Sequence, residues 1–361
     1  MSLRTLLRVV AATLPLAVVP DWAAAQMPAS PPEPTAKADA QMGTVLAALA
    51  KLGPKPLEAL SAADARRQPS AADAVLQVRQ DNGEAGPQPM PPVGRVTSDT
   101  VPGPGGIRVP VRVYTPPGDG PFPAVVYFHG GGWVVATLDT YDPSCRALCK
   151  MVGAVVVSVD YRRAPENKFP AAPEDCYAAT QHVIANPAAF GVDPARVAVV
   201  GESAGGNLAT VVCLMAKERG GRMPIHQSLV YPITNYGFDT PSYQANANAK
   251  PLSKPAMRWF FANYLTSPAD GGNKLVSPMR ASDADLKGLP PATVVTAEID
   301  PLMSDGQLYA DKLKAAGVDV SYRHFTGVTH EFFGMAGVVD KAKDAEQFVA
   351  DRLAASFKAG K

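Results

Sequence analysis

The feature that most limits how this chain can fold is an alternation of short apolar runs with helical patterns. The apolar runs are Ala124–Phe128, Ala154–Val159, Val197–Val200, Ser228–Tyr231, Thr293–Thr296 and Val318–Phe325. The helical patterns that separate them are Pro143–Met151, Ala172–Ala185, Ala204–Glu218 and Gln307–Ala316. This alternation predicts an α/β fold in which helices cover both faces of a mostly parallel sheet.

An earlier segment, Ile107–Val113, alternates apolar with polar residues, which is typical of a strand that has one face in water. Antiparallel strands at the start and parallel strands later predict a mixed sheet of about eight strands. Because 47% of the 361 residues are hydrophobic, the chain has ample material for the core of such a sheet.

Charge and composition exclude several classes of function. The 34 Lys and Arg residues against 33 Asp and Glu give a net charge of +1, whereas a nucleic-acid-binding protein needs a basic excess. The four cysteines form no C-x-x-C pair, and no His, Asp or Glu cluster has the spacing of metal ligands. We therefore expect no nucleic-acid partner, no metal and no cofactor.

The N-terminus has the parts of a secretory signal peptide. A basic head is followed by the uncharged run Val9–Pro20, which is too short to span a bilayer, and then by small residues ending at Ala25. The alternative is a buried helix, but Pro15 and Pro20 would break it. We expect cleavage after Ala25 and a periplasmic or secreted protein. Export would permit disulfide bonds, although the sequence indicates no particular cysteine pair.

Three further regions follow the signal peptide of residues 1–25. Residues 26–43 are rich in Pro and Ala and predict a flexible leader. Residues 44–86 hold helical patterns at Val45–Leu60 and Ala71–Gln80, and a Pro/Gly-rich hinge comes next. Residues 87–361 form the main domain.

Almost sixty residues, 232–290, separate two of the predicted strands. They include a helical pattern with an aromatic face made of Trp259, Phe260 and Tyr264. An insertion of this size within a strand–helix series is typical of a lid or of an element that shapes a substrate pocket.

A candidate nucleophile lies in the sequence Gly201-Glu202-Ser203-Ala204-Gly205, directly after an apolar run and at the start of a helical pattern. A serine on a sharp turn from strand to helix projects its hydroxyl outward, and the flanking glycines leave room for the turn. The helix N-terminus adds backbone N–H groups that favour a developing oxyanion.

A glycine-rich loop, His129-Gly130-Gly131-Gly132-Trp133, follows the apolar run Ala124–Phe128. Its amides can donate hydrogen bonds to a carbonyl oxygen that becomes negative. A phosphate-binding loop is the alternative, but the Lys-Ser/Thr pair and the G-x-G-x-x-G spacing are missing.

A serine nucleophile needs a histidine base and a carboxylate that orients it. Of the five histidines, His330 is favoured because it follows the last strand, whereas His324 lies inside that strand. Asp300 is favoured as the acid because it lies in a turn after a strand and before a proline, with Glu298 and Asp305 as rivals. The order Ser203, Asp300, His330 matches the α/β-hydrolase order.

From about Thr44 onward the chain resembles bacterial esterases of the hormone-sensitive lipase family (family IV), which have the α/β-hydrolase fold. The resemblance is carried by His129–Trp133, Tyr161–Glu166, Gly201–Gly206, Leu289–Ala292, Asp300–Leu302, Tyr309–Ala310, Ala316–Val318 and His330. It covers nearly the whole chain after the leader.

The resemblance implies that Ser203 is the nucleophile, His330 the base and Asp300 the orienting acid. The implied oxyanion donors are the backbone N–H groups of Gly131, Gly132 and Ala204, with Gly130 as a fourth candidate. It also implies that residues 44–86 and 238–266 pack together as a helical cap over an acyl pocket.

The resemblance further implies a serine carboxylesterase that hydrolyses short- to medium-chain esters of small molecules through an acyl-enzyme. Trp133 and the cap aromatics would line its apolar pocket. Two departures from the family pattern, Glu202 before the serine and Glu331 after the histidine, add bulk near the site, so Glu202 is also counted as a pocket residue.

Alternatives to this activity remain open at this point. An amidase, a peptidase or a lactonase would use the same triad, and a binding protein on an inactive hydrolase scaffold would lack the serine or the histidine. The exposed edge of the final strand is a surface on which two copies could pair as a homodimer.

Overall fold

The computed structural model describes residues 37–84 and 90–359. The predicted signal peptide and most of the predicted leader lie outside the described residues. The strands of the described part form one eight-stranded sheet. In chain order they are β1 (Arg95–Pro102), β2 (Arg108–Thr115), β3 (Phe122–Phe128), β4 (Val155–Val159), β5 (Val192–Glu202), β6 (Gln227–Val230), β7 (Ala292–Ile299) and β8 (Val320–Thr329).

The strand order across the sheet is β1-β2-β4-β3-β5-β6-β7-β8. Strand β2 runs antiparallel to both β1 and β4, and every later pairing is parallel. The predicted α/β-hydrolase fold with a mixed, mostly parallel sheet is therefore confirmed. The carboxyl ends of the parallel strands meet at one edge, where the loops that follow β3, β5, β7 and β8 lie together.

The helices of the described part follow the strands in the expected alternation. They are α1 (Ala40–Leu52), α2 (Ala62–Ala65), α3 (Ala71–Asp81), α4 (Asp142–Val152), α5 (Ala171–Ala185), α6 (Pro187–Phe190), α7 (Ala204–Arg219), α8 (Pro241–Ala245), α9 (Lys254–Tyr264), α10 (Asp283–Leu286), α11 (Met303–Ala315) and α12 (Asp340–Ala359).

Two predicted boundaries at the N-terminal end were wrong. Helix α1 begins inside the predicted leader, because the Asp39 side chain caps it by accepting from the amide of Met42 at 2.9 Å. The helix also ends at Leu52 and does not continue to residue 60. Gly53 adopts φ +66°, the left-handed conformation that ends helices, and a proline follows it.

The core has two apolar layers, one on each face of the sheet. Alternate residues of one strand belong to different layers: Val126 packs in one and Val125 in the other. Because both faces are covered, the central strands are continuous apolar runs without polar alternation. Helices α5, α7 and α11 cover one face, and α4 and α12 cover the other.

The two segments expected to form a cap touch each other. The indole N–H of Trp259 in α9 donates to the carbonyl of Leu60, between α1 and α2, at 3.0 Å. Both segments also contribute to the wall of one cavity, through residues such as Leu49 and Phe260. This contact joins two stretches of chain that are almost 200 residues apart in sequence.

Three further observations concern features named in the sequence. All four cysteines are buried and free. Strand β8 is an edge strand of the sheet, at the end opposite β1. Within residues 37–84 and 90–359, no helix has the length and apolar character needed to cross a membrane.

Candidate active site

Ser203 lies on the sharp turn between β5 and α7. Its φ and ψ of +57° and −115° are a strained combination for a residue with a side chain, and the turn directs the hydroxyl away from the strand. The turn needs space on both sides. A Cβ on Gly201 would fall 2.0 Å from the carbonyl oxygen of Gly205, and one on Gly205 would fall 1.9 Å from that of Phe128.

Ser203, His330 and Asp300 lie in one line of hydrogen bonds. The Ser203 Oγ is 2.9 Å from His330 Nε2, and His330 Nδ1 is 2.7 Å from Asp300 Oδ2. The second oxygen of Asp300 accepts from the amide of Leu302 at 2.8 Å, which holds the carboxylate in place. A ring that donates from Nδ1 to the carboxylate leaves Nε2 to accept the serine proton.

The environment of His330 makes its imidazole a stronger base. Burial lowers the pKa of His330, but the charge and hydrogen bond of Asp300, with the charges of Glu331 and Glu202, raise it above its ordinary value overall. The imidazolium form that appears when the serine loses its proton is therefore favoured.

The rival residues have other partners in the structure. Of the other histidines, His324 lies 3.0 Å from the Thr296 hydroxyl, and His226 lies between two hydroxyl groups. Glu298 accepts from the amide of Gly327 at 2.8 Å. Asp305 is buried and accepts from the amide of Thr234 at 3.3 Å.

The glycine loop places free amides beside Ser203. Within the described residues, the N–H groups of Gly131, Gly132 and Ala204 donate to no protein acceptor. Gly131 and Gly132 line the same cavity as Ser203, and Ala204 is the first residue of α7. Gly130 is not part of the cavity wall, because it faces the Tyr141 hydroxyl, from which a Cβ at this position would be only 2.2 Å away.

The direction of these amides is set by carbonyls on the same peptide planes. A planar trans peptide points its N–H opposite to its C=O. The carbonyl of Gly130 lies 2.8 Å from His129 Nδ1 and 3.2 Å from the Tyr161 hydroxyl, which is shared with the carbonyl of His129 at 2.9 Å. These contacts hold the N–H of Gly131. The carbonyl of Gly131 accepts from the amides of Val134 at 3.0 Å and Val135 at 2.9 Å, and these bonds hold the N–H of Gly132.

The segment Tyr161–Glu166 is one of the stretches that carry the family resemblance. It donates hydrogen bonds to backbone carbonyls of the glycine loop and of the residues just after it. Besides the Tyr161 hydroxyl, the amide of Ala164 donates to the carbonyl of Trp133 at 2.9 Å. The guanidinium of Arg163 donates to the carbonyl of Ala136 at 2.7 Å. This segment therefore acts on the site through the backbone of the loop.

A cavity of about 820 Å³ opens on the Ser203 hydroxyl. Its floor contains Ser203 and His330, and its walls come from the glycine loop, from α1 and α3, and from α9. Apolar wall residues include Leu49, Ile233, Leu252, Met257 and Phe260. Glu331, which has φ +70°, brings a carboxylate into the wall directly after the histidine.

The prediction that Trp133 and Glu202 line this pocket was wrong. Trp133 is fully buried, and its indole ring stacks on Tyr264 with 4.0 Å between ring centroids, so the side chain supports α9 from below. Glu202 is only 1% exposed and lies behind the serine. Of the three cap aromatics, Phe260 is in the wall, whereas Trp259 and Tyr264 are not.

Glu202 is at the centre of a buried polar cluster. One carboxylate oxygen accepts from the Tyr127 hydroxyl and the other from the Tyr231 hydroxyl, through short hydrogen bonds. Burial raises the pKa of Glu202 to about 7, although both tyrosines favour the charged form. The ring of Tyr231 lies 4.6 Å from the ring of His330, which joins this cluster to the triad.

Comparison with known proteins agrees with this geometry. A family model described as alpha/beta hydrolase fold matches residues 125–334. The carboxylesterase NlhH of Mycobacterium tuberculosis is 42% identical over 262 residues, which cover 72% of this chain and 82% of that protein. The ethyl acetate hydrolase of Pseudomonas putida is 35% identical over 302 residues, which cover 82% of this chain and 91% of that protein.

Solved structures give the same result. The crystal structure of a thermostable esterase from Pseudomonas putida ECU1011 superposes with a TM-score of 0.79 at 37% identity, covering 89% of this chain and 98% of that one. The chain therefore belongs to the α/β-hydrolase fold family, in the hormone-sensitive lipase-like group that its motifs indicated.

Several residues that shape the site have no recognisable sequence signal. Arg66 donates to the backbone carbonyl of Val134, and such a contact leaves no spacing pattern. Tyr127 and Tyr231 lie in apolar runs, where an aromatic residue is typical of a core. The sequence does contain one indication of these two tyrosines: a glutamate at position 202, at the end of an apolar strand, needs hydrogen-bond donors if it is buried.

We expect that Gly205→Ala destabilises the protein by about 3 kcal/mol or more, because the new methyl group would overlap the backbone of β3. Gly43→Ala is the matched control. Gly43 lies within α1 with open space around its Cβ position, so the alanine should stabilise the folded protein by up to about 1 kcal/mol. Denaturant unfolding of both variants measures the difference. Equal stabilities would contradict the close approach of α7 to β3.

We also expect Glu202→Gln to change how stability depends on pH. The pKa of Glu202 in the folded chain, about 7, is above the unfolded value near 4.5, so the folded state holds the proton more tightly. Wild-type stability therefore falls as the pH rises from about 4.5 through 7, and this loss should shrink in the variant. Melting temperatures at pH 5 and pH 8.5 test this.

The control for the pH experiment is Glu218→Gln, a change at an exposed carboxylate in α7. Its stability should depend on pH as that of the wild type does, because an exposed charge contributes little to the free energy of unfolding. If Glu202→Gln loses as much stability as the wild type between the two pH values, the buried carboxyl group is not the source of the dependence.

Proposed function

We propose that this protein is a serine carboxylesterase that hydrolyses short- to medium-chain carboxylic esters of small molecules through an acyl-enzyme. The observation that carries the proposal is the line from Ser203 to His330 to Asp300 at 2.9 and 2.7 Å, beside three free amides and a cavity. Relatives named carboxylesterase and ethyl acetate hydrolase support an ester as the substrate.

In the acylation step, the Ser203 oxygen attacks the ester carbonyl carbon while His330 Nε2 takes the serine proton. The carbonyl oxygen becomes an oxyanion, and the amides of Gly131, Gly132 and Ala204 donate hydrogen bonds to it. When the tetrahedral intermediate collapses, the bond to the alkoxy oxygen breaks and His330 gives its proton to the leaving alcohol.

In the deacylation step, water replaces the alcohol. His330 takes a proton from the water as its oxygen attacks the acyl carbon, and a second oxyanion forms at the same amides. Collapse of this intermediate breaks the bond to Ser203, which regains a proton from His330, and the acid leaves. Asp300 keeps the imidazole oriented and stabilises its charge in both steps.

The cavity supports the proposed substrate size. Its volume of about 820 Å³ is within the range of small-molecule sites, and apolar residues of α1, α3 and α9 form much of its wall. An acyl chain of a few carbons would fill part of this space, and the burial of each additional CH₂ would add about 0.8 kcal/mol of binding until the wall is reached.

The main test of the activity is Ser203→Ala, with Ser98→Ala on the exposed strand β1 as a control. We expect the first variant to lose ester turnover by at least about 10⁴-fold while its circular dichroism is unchanged, and the control to keep full activity. A fluorophosphonate probe should label the wild type and the control but not Ser203→Ala.

A panel of p-nitrophenyl esters of increasing acyl length, with a matched p-nitroanilide, completes the test. Faster turnover of the esters, with a maximum at short or medium chains, is the expected result. Retained activity in Ser203→Ala would overturn the assignment of the nucleophile, and faster turnover of the anilide would favour an amidase.

We also propose that the protein is exported. The support is the sequence alone: a basic head, the uncharged run Val9–Pro20 and small residues up to Ala25. Expression of the full chain in a bacterial host should give a periplasmic or secreted product whose first residue is Gln26. An intact N-terminus on a cytoplasmic product would contradict the proposal.

A further inference from the structure

The residue that directly follows the glycine loop, Val134, accepts a hydrogen bond from the cap. Arg66, which directly follows α2, donates from Nε to the carbonyl of Val134 at 2.8 Å. Within the described residues, the donors in Tyr161, Arg163 and Ala164 that hold carbonyls of the glycine loop or of the residues just after it belong to the main domain. Arg66 reaches the loop across 68 residues of sequence.

The remaining nitrogens of Arg66 also have partners. Nη2 donates to the carbonyl of Ala164 at 2.8 Å, and the two terminal nitrogens bind both oxygens of Glu166 at 2.8 and 2.7 Å. These hydrogen bonds from Arg66 lower the pKa of Glu166 to about 2. The guanidinium is therefore held in one orientation by a bidentate ion pair and two carbonyls.

The bond to Val134 bears on an oxyanion donor. The Val134 carbonyl is on the same peptide plane as the N–H of Val135, and this N–H donates to the carbonyl of Gly131 at 2.9 Å. The Gly131 carbonyl also accepts from the amide of Val134 at 3.0 Å, and it is on the same peptide plane as the N–H of Gly132. A shift of the Val134–Val135 peptide would move this donor, rotate the Gly131–Gly132 peptide plane and turn the Gly132 N–H away from the reacting oxygen. Arg66 is thus two hydrogen bonds away from an amide proposed to bind the oxyanion.

The same side chain fixes the position of the cap. Arg66 lies in the wall of the cavity, next to α2, and its four hydrogen bonds attach this part of the cap to the main domain. One guanidinium therefore contacts both the cavity and the peptide that donates to the Gly131 carbonyl.

We propose that Arg66 is a positioning residue for the oxyanion hole, which couples the docked position of the cap to catalysis. The proposal rests on the proposed esterase function. Removal of one oxyanion donor costs about 10²–10³-fold in kcat, so a displaced donor should cost somewhat less. A residue that only fastened the cap would instead change substrate binding or stability.

The experiment compares Arg66→Ala with Arg67→Ala in the full-length enzyme. Arg67 is adjacent and exposed, and within the described residues its one ion pair is with Asp64 in the same segment, so it is a matched control. The readouts are kcat and KM for p-nitrophenyl butyrate, and the inhibition constants of an alkyl trifluoromethyl ketone and of the corresponding methyl ketone. The first ketone adds the serine hydroxyl and forms an oxyanion, whereas the second binds without reacting.

For Arg66→Ala we expect kcat to fall by about 10- to 100-fold and the trifluoromethyl ketone to bind weaker by a similar factor. KM and the binding of the methyl ketone should change by less than about threefold, and Arg67→Ala should match the wild type within about twofold. Unchanged kcat, or an equal loss for both ketones, would overturn the role of Arg66 in positioning the donor.

Two further variants keep the test decisive. Glu166→Gln leaves the bonds to Val134 and Ala164 in place, so it should lose less kcat than Arg66→Ala; an equal loss would indicate a fastening role only. If Arg66→Ala does not fold, Arg66→Lys decides. Its single ammonium cannot reach all the acceptors, so an intermediate kcat is expected and wild-type kcat would overturn the proposal.

The outcomes also separate this proposal from the esterase function. If the trifluoromethyl ketone does not inhibit the wild type, or if Ser203→Ala keeps its activity, the proposed function itself falls. If the wild type is inhibited and Arg66→Ala is inhibited equally well, the function stands and only the role of Arg66 is lost.

Discussion

The approach of helix α7 to strand β3 is the contact on which the site depends. Gly205, in the first turn of α7, lies so close to the end of β3 that a Cβ would be 1.9 Å from the carbonyl oxygen of Phe128 and 2.7 Å from that of His129. The glycine loop begins directly after β3. The same contact therefore sets the distance between Ser203 and the amides of the loop, without any side chain between them.

Three carboxyl groups near His330 have different effects because their surroundings differ. Asp300 is fully buried, but the imidazole and the amide of Leu302 satisfy it, so it acts on the ring directly. Glu202 is buried behind the serine between two tyrosine hydroxyls, and it acts on His330 only through its charge. Glu331 lies in the cavity wall, and its carboxylate accepts from the Tyr141 hydroxyl at 3.5 Å.

The fold and the reacting groups could be predicted because their signals are local. The central strands are buried on both faces and so form unbroken apolar runs, and Ser203 sits between glycines in a strand–turn–helix setting. The sequence does not indicate β1, since nearly all of its residues are exposed and its pattern is that of a loop. Helix α12 follows the last apolar run, outside the alternation that defines the fold.

The contacts that orient the site could not be predicted, since they join distant residues through the backbone. The indole of Trp133 adjoins the three glycines in sequence, yet it stacks on Tyr264 under the cap, and no local pattern distinguishes this from a place in the pocket. Likewise, positions 66 and 67 are adjacent and both are arginine. Only the fold distinguishes them, because one meets the carbonyl of Val134 and the other faces solvent.

The cap is joined to the main domain at the places where the catalytic geometry is set. Trp133 supports α9 from below, Phe260 of the same helix closes over Gly132, and Arg66 binds the loop that begins with these residues. A cap that only enclosed substrate would need contact with the rim of the cavity. Contacts to the glycine loop itself mean that enclosure of the substrate and alignment of the oxyanion donors depend on the same packing.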